Sequence, residues 1–499
     1  MPAALRSLAG LLMLLLAAGC GPDQRGPDTA GQEKARRQEG LLLTARGVLF
    51  LQQGRPQRAL PLLLEAVEKV PEVAESQYNL GLTYARLDRP AEAVSAFERA
   101  LQQAPSTPEL CFAMGLALRA LRRDPEAVAQ LQRAAEQAPD RPDYFFRLGE
   151  ARRAIGDFVG ALQALETAIR LDSTQAAAQF YRSDLLARSN RLAEAETGYR
   201  RTLALDPGNL QAHLDLAKLY TQQQRHREAL SILRPALALD PRAAGAHYLL
   251  GQVYGQTGQT RQAEAEMAAF RRLSTAEKYF DQGTTYARRD QWAQATAFWT
   301  QAIEADSSFL RAYLRLGEGY LQQQRPAPAI PLLQKALALA PRDWAARCLL
   351  GEALLMGGDP VAARGAFVEA LQVQPSSAQA FYGLGRAQLM QDNLPEAATA
   401  FRRALDSQPD HSEAYYYLGF VYLKQGQDQA AKACFQQSIS IDPAHAQAHY
   451  TLGLVLAKAG DLGQAKAAFG KALELDPGHA KAREKLAELD RGQSGRKTD

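Results

Sequence analysis

The chain has 499 residues, of which 46% are hydrophobic and 22% charged, with 58 Lys and Arg against 54 Asp and Glu and four cysteines. This composition excludes a disordered chain, a collagen-like chain and a polytopic membrane protein. A net charge of +4 over this length offers no clustered basic face for nucleic acid, and four cysteines cannot build a disulfide framework or a zinc-ribbon array. In chain order, residues 1–20 read MPAALRSLAGLLMLLLAAGC. Arg6 and the amino group supply a positive end, an apolar run extends from Leu8 to Ala18, and Ala17, Ala18 and Gly19 precede Cys20. A helix crossing a bilayer needs about 20 apolar residues, and this run is roughly half that, which fits a secretory signal core. Residues 21–39 hold Gly, Pro, Asp and Gln with no apolar periodicity, as a flexible tether should.

The ending Leu16-Ala17-Ala18-Gly19-Cys20 resembles the bacterial lipobox, with Ala17 where that pattern prefers Leu. The resemblance implies a lipoprotein signal peptide over 1–19, lipidation of Cys20 and a lipid-anchored tether over 20–39. Several acyl chains give stable anchoring where one is marginal. Gly21, in place of an Asp after the cysteine, implies the outer membrane rather than the inner.

From residue 40 a period of 34 takes over. Glycines stand at 47, 81, 115, 149, 251, 283, 317, 351, 385, 419 and 453, with Ser183 and Ala217 filling the gap; every interval is 34 except the 32 between Gly251 and Gly283. Twelve residues after each of these thirteen positions stands an alanine, from Ala59 to Ala465, and prolines such as Pro341, Pro409 and Pro443 close most units. Within residues 412–445, Tyr415, Leu418, Gly419 and Tyr422 recur at helical spacing. Gly426 and Asp428 mark a turn, and a second apolar stripe runs through Ala431, Phe435 and Ile439. Gly419 and Ala431 predict a close crossing of the two helices, and Pro443 stops the second.

This pattern resembles the tetratricopeptide repeat. The resemblance implies an all-α, right-handed superhelical solenoid of helix–turn–helix units. Thirteen repeats start at 40, 74, 108, 142, 176, 210, 244, 276, 310, 344, 378, 412 and 446. A C-terminal capping helix follows over 480–492, reading AKAREKLAELDRG, then a disordered tail over 493–499. Repeat 5 carries Arg182 and Ser183 where most others have Leu-Gly. Repeat 7 is two residues short and lacks its proline, the chain running EMAAFRRLSTAEKYF from one helix pattern to the next. A changed twist is expected near 270–283, dividing repeats 1–7 (40–275) from repeats 8–13 (276–479).

Catalytic signatures are missing from the sequence: there is no Walker loop, HExxH or G-x-S-x-G. His445 and His449 lie four apart without a third ligand, so no metal and no cofactor are expected. Cys111, Cys348 and Cys434 read as small buried hydrophobes. Aromatics recur at the fifth position of the first helices: Tyr78, Phe112, Phe146, Phe180, Tyr248, Phe280, Tyr382, Tyr416 and Tyr450. In tetratricopeptide arrays this position borders the concave groove, so the row is a candidate surface for an extended peptide or partner helix; packing alone would also place rings there. Arg147, Glu150, Arg153, Asp184 and Arg188 form a candidate polar patch in repeats 4 and 5. The ninth position holds no asparagine, so the resemblance does not extend to repeats that clamp the carboxylate tail of heat-shock chaperones.

The reading is a noncatalytic scaffold or adaptor for protein partners, anchored to a bacterial cell envelope and facing the periplasm, in the assembly of an envelope or secretion complex. Its rivals are a substrate-recruiting accessory of a separate enzyme, such as a glycosyltransferase, and a periplasmic glycan- or peptide-binding protein. The expected membrane contact is the lipid anchor alone, no nucleic acid is expected, and the oligomeric state is open.

Overall fold

The computed structural model describes residues 27–494, which form 26 helices and no strand. Residues 1–26, with the expected signal peptide and Cys20, and residues 495–499 lie outside the described residues. First helices begin where the period places them, at Ala74, Pro108, Pro142, Ala176, Leu210, Ala244, Leu310, Trp344, Ala378, Ser412 and Ala446. Several starts are built by side-chain caps: Thr107, Asn209, Asp343 and Ser377 each accept a hydrogen bond from the backbone N–H three residues on, satisfying a donor the helix leaves open. Between the two helices of all thirteen repeats sits one residue with positive φ. Six are glycines, such as Gly426 at 73°, and seven are not, such as Arg122 at 60° and Gln224 at 59°. The turn reverses the chain in so few residues that it requires this left-handed step.

The repeat's core is a large side chain of the second helix lying on the small residue of the first. A methyl carbon on Gly385 would sit 2.7 Å from Phe401 Cε1, and one on Gly453 would sit 2.6 Å from Phe469 Cε1. In repeat 5 a serine takes the glycine position, and the large residue of the second helix is Tyr199, 2% exposed. Ser183 occupies the glycine position fully buried, its Oγ donating to Gln179 O at 2.7 Å, and Gly198 opposite leaves it room. The sequence departure there is thus compensated across the helix pair. The architecture is a tetratricopeptide superhelical solenoid, closed at its C-terminal end by the helix Ala480–Ser494 with Ala482 buried against the last repeat.

Three boundaries differ from expectation. The first helix starts at Pro27 and runs to Gln52, so residues 27–39 are helical rather than a tether. They are held by the second helix of the repeat: Arg36 donates to Glu68 O at 2.8 Å and Glu39 pairs with Lys69 at 2.7 Å. The terminal helix likewise extends through Ser494, two residues into the expected tail. The third difference is at the short repeat. No turn separates the second helix of repeat 7 from the first helix of repeat 8; one helix runs from Thr260 to Ala287. Removing two residues and the proline leaves nothing to break the backbone hydrogen-bond ladder, so the helix continues. The chain divides into two compact units between Phe270 and Arg271, five residues before the boundary read from the repeats.

Candidate functional site

The expected polar patch separates into two clusters on successive first helices of the N-terminal unit. Glu150, the ninth residue of repeat 4, accepts from Arg147 Nη1 at 2.7 Å and from Arg119 Nη1 of repeat 3 at 3.3 Å. Only 11% of its side chain is exposed, so both arginines neutralise it internally. One repeat later the arrangement recurs. Asp184 lies 3.8 Å from Arg153 of repeat 4 and accepts from Arg188 Nε at 3.1 Å. The Arg153 guanidinium also sits over the Tyr181 ring, 4.6 Å from its centroid. In both cases the twelfth residue of one repeat reaches the ninth of the next. Glu352 and Arg386 form a third such rung, ninth to ninth, at 2.7 Å.

At repeat 6 the ladder opens. The twelfth residue of repeat 5 is Ala187 rather than an arginine, and a groove of about 570 Å³ forms between the first helices of repeats 4, 5 and 6. Arg153, Asp184 and Arg188 line one wall, and Asp215 and Lys218 the other, above Tyr199. Asp215 accepts from Gln211 Nε2 at 3.1 Å. Burial raises its pKa above the ordinary carboxylate range, and the negative charge of Asp184 raises it further. Lys218 is exposed at the rim and acts electrostatically on Asp215. The groove therefore presents two carboxylates beside three cationic side chains, over an aromatic floor. Sequence reading found Arg153, Asp184 and Arg188 but missed Asp215, Lys218 and Arg119. The available signal was the rule pairing the twelfth residue with the ninth of the next repeat.

The aromatic row is placed differently. Phe280, Tyr416 and Tyr450 are 8, 9 and 8% exposed, and Tyr248 is exposed at 38%; the remaining five are half-buried. These rings pack inward on the second helix, with centroids 6.1 Å apart for Tyr382–Phe401, 5.9 Å for Tyr416–Phe435 and 5.8 Å for Tyr450–Phe469. Burial pushes the Tyr78 and Tyr416 phenols up to about 12. Rings seated in this way have little face left for stacking a sugar.

The histidines that end three consecutive repeats have a structural task. His411, His445 and His479 accept at Nδ1 from the N–H of Ala414, Ala448 and Ala482, capping the next helix. Each also lies against the fifth-position tyrosine of its own repeat, at 4.7, 4.9 and 4.6 Å. Cys111 and Cys348 are fully buried and Cys434 partly so; burial raises the thiols, Cys434 to about 11 and Cys348 to about 12, away from reactivity. Among the described residues no group of three or more His, Cys, Asp and Glu could hold a metal ion, and no helix is long and apolar enough to cross a membrane.

Family models of the tetratricopeptide repeat match residues 44–108, 153–209, 280–336, 314–378, 358–412 and 382–446. Two further models of the same repeat match 446–479, and 84–145 with 220–272. The chain belongs to the tetratricopeptide repeat family. Among solved structures it is similar to the APC/C hetero-tetramer Cut9–Hcn1, at 15% identity over 90% of this chain and 96% of that one, with a TM-score of 0.42. It is also similar to MamA, at 30% identity over 33% of this chain and 97% of that one, TM-score 0.30. MamA from residue 41 to its end, from Desulfovibrio magneticus RS-1, is 19% identical over 34% and 97%, TM-score 0.32. No curated protein matches the chain.

Proposed function

We propose that the protein is a noncatalytic scaffold that holds other proteins at a bacterial cell envelope, anchored through lipidated Cys20 and facing the periplasm. Family membership supports the scaffold reading, and the observation that carries it to a site is the groove of about 570 Å³ in repeats 4–6. Its paired carboxylates and flanking Lys218, Arg153 and Arg188 fit a partner segment with adjacent acidic and basic side chains. The lipobox-like sequence ending at Cys20 supports the anchor. The inward seating of the aromatic row weighs against the glycan alternative.

Photocrosslinking from position 222, an exposed residue that also lines the groove, tests it in intact envelopes. Discrete adducts are expected, weakened about tenfold by Arg188→Glu with Lys218→Glu, since reversing two rim charges costs roughly 1–2 kcal/mol. Both side chains are exposed, so the fold should survive. Unchanged adducts in the double variant would remove the groove from the account. Separately, Cys20→Ala should leave the chain unprocessed or release it to the soluble fraction; unchanged fractionation would overturn the anchor.

A further inference from the structure

Every joint of a solenoid buries the same positions, so an array's open ends can be read by asking where those positions are exposed. In repeats 2–7 and 9–13 the third and tenth residues of the first helix, such as Ala414 and Val421, are buried against the preceding repeat. Two first helices break this rule. In repeat 8 the residues are Lys278 and Thr285, both exposed and both polar. In repeat 1 they are Leu42 and Leu49, 59 and 51% exposed. That face has the composition of a docking helix, and among the described residues nothing covers it.

The second helices show one exception. In twelve repeats the periodic alanine, the large residue four on and the residue three beyond that are at most 2% exposed. In repeat 7 they are Ala263, Met267 and Phe270, and all three are partly exposed. The helix continues beyond Phe270 without the turn that ends the second helices of the other repeats. At the other end of the chain, the equivalent face of repeat 13 is covered by the terminal helix through Ala482.

The two uncovered apolar faces belong to the same compact unit and are the two halves of one joint. We propose that a second copy of this chain fills the gap, the Leu42–Leu49 face of one molecule docking on the Ala263–Met267–Phe270 face of the next. The contact continues the repeat-to-repeat interface used throughout the array. Charge is complementary as well. Arg46, at the seventh position between the two leucines, matches Arg182 of repeat 5, which reaches Glu166 on the preceding second helix at 3.3 Å. On the open face Glu264 stands one helical turn from the position equivalent to Glu166. Such an interface is heterologous, so copies add head to tail into a ring or a filament. It uses residues other than the groove, and either proposal can fail alone.

The test uses the full chain. Sedimentation should show mass growing with concentration, and Leu42→Lys with Leu49→Lys should weaken association by about a hundredfold or more, as for two central apolar anchors. These side chains are exposed in the single chain, and repeat 8 already carries Lys278 at the equivalent place, so folding is retained. Differently tagged copies carrying Leu49→Cys and Met267→Cys should form a mixed disulfide in envelopes, above the background of the native cysteines. A sedimenting monomer at every concentration, association indifferent to the two lysines, or Leu49→Cys crosslinking only to itself would each overturn the proposal.

Discussion

Two substitutions of glycine by alanine should have opposite signs, because the same helical residue serves two purposes. At Gly385 a methyl would lie 2.7 Å from the Phe401 ring. Overpacking at about 1–3 kcal/mol exceeds the helix-propensity gain of about 1 kcal/mol, so Gly385→Ala should lose roughly 1 kcal/mol. At Gly365 nothing lies within 4 Å, and Gly365→Ala should gain up to about 1 kcal/mol; equal effects in denaturant melts would contradict the packing described. The histidine caps make a second residue-scale prediction. Burial lowers the pKa of His411, opposed by Glu413 and Asp410, whereas Glu413, 3.2 Å from Nε2, raises that of His445 with help from Asp442. The signs of their stability terms therefore differ. The contribution of His411 is complete above its ordinary value near 6.5 and is lost as pH falls through its depressed folded value. That of His445 is complete below about 6.5 and is lost as pH rises through its elevated one. Ring titrations by NMR should fall on opposite sides of about 6.5, and Glu413→Gln should bring His445 down; two coincident titrations would refute the assignment. Repeat starts at 412 and 446 and a capping helix from 480 put these histidines just before helices, but an imidazole cap depends on ring orientation and on the tyrosine behind it, which no linear pattern contains.

At the scale of the element, the regular helices follow from period, glycine and proline, and the exception follows from what is missing. The short repeat was legible as an irregularity at Ser274-Thr275. Its outcome was not, because a shortened connection is compatible with a tighter turn or with no turn. The continuous helix Thr260–Ala287 makes a definite prediction. Ser274→Pro should cost about 3 kcal/mol or more, as a proline inside a helix does, seen as lost ellipticity and faster hydrogen exchange on both sides of residue 274. Wild-type exchange there would place a turn at this point, like those closed by Pro409 or Pro443. The first helix teaches the converse. Residues 27–39 lack apolar periodicity, yet they continue the helix because Arg36 and Glu39 find partners on the second helix of repeat 1. Those partners are more than 25 residues away in the chain, beyond the reach of any local window.

For the whole molecule, stability is a sum over neighbours, since each repeat touches only the next. Phe401→Ala removes a fully buried ring and should cost about 3–5 kcal/mol. The loss of hydrogen-exchange protection should spread through repeats 10–13 and leave repeats 1–6 as they were; uniform loss over the chain would mean a single cooperative unit and sink this picture. The sequence by itself determined the repeat, its thirteen copies, the all-helical class and the absence of recognisable catalytic motifs. One helix pair cannot bury its apolar stripes alone, so the pattern that makes one pair also specifies its neighbours. Only the tertiary structure decided which charged side chains are consumed within the array and which face a groove, and which apolar faces find no cover. Glu150 and Asp184 occupy the same repeat position with similar chemistry. They differ because Arg119 and Arg147 close around the first, while Ala187 leaves space beside the second, and that difference arises where three helices meet.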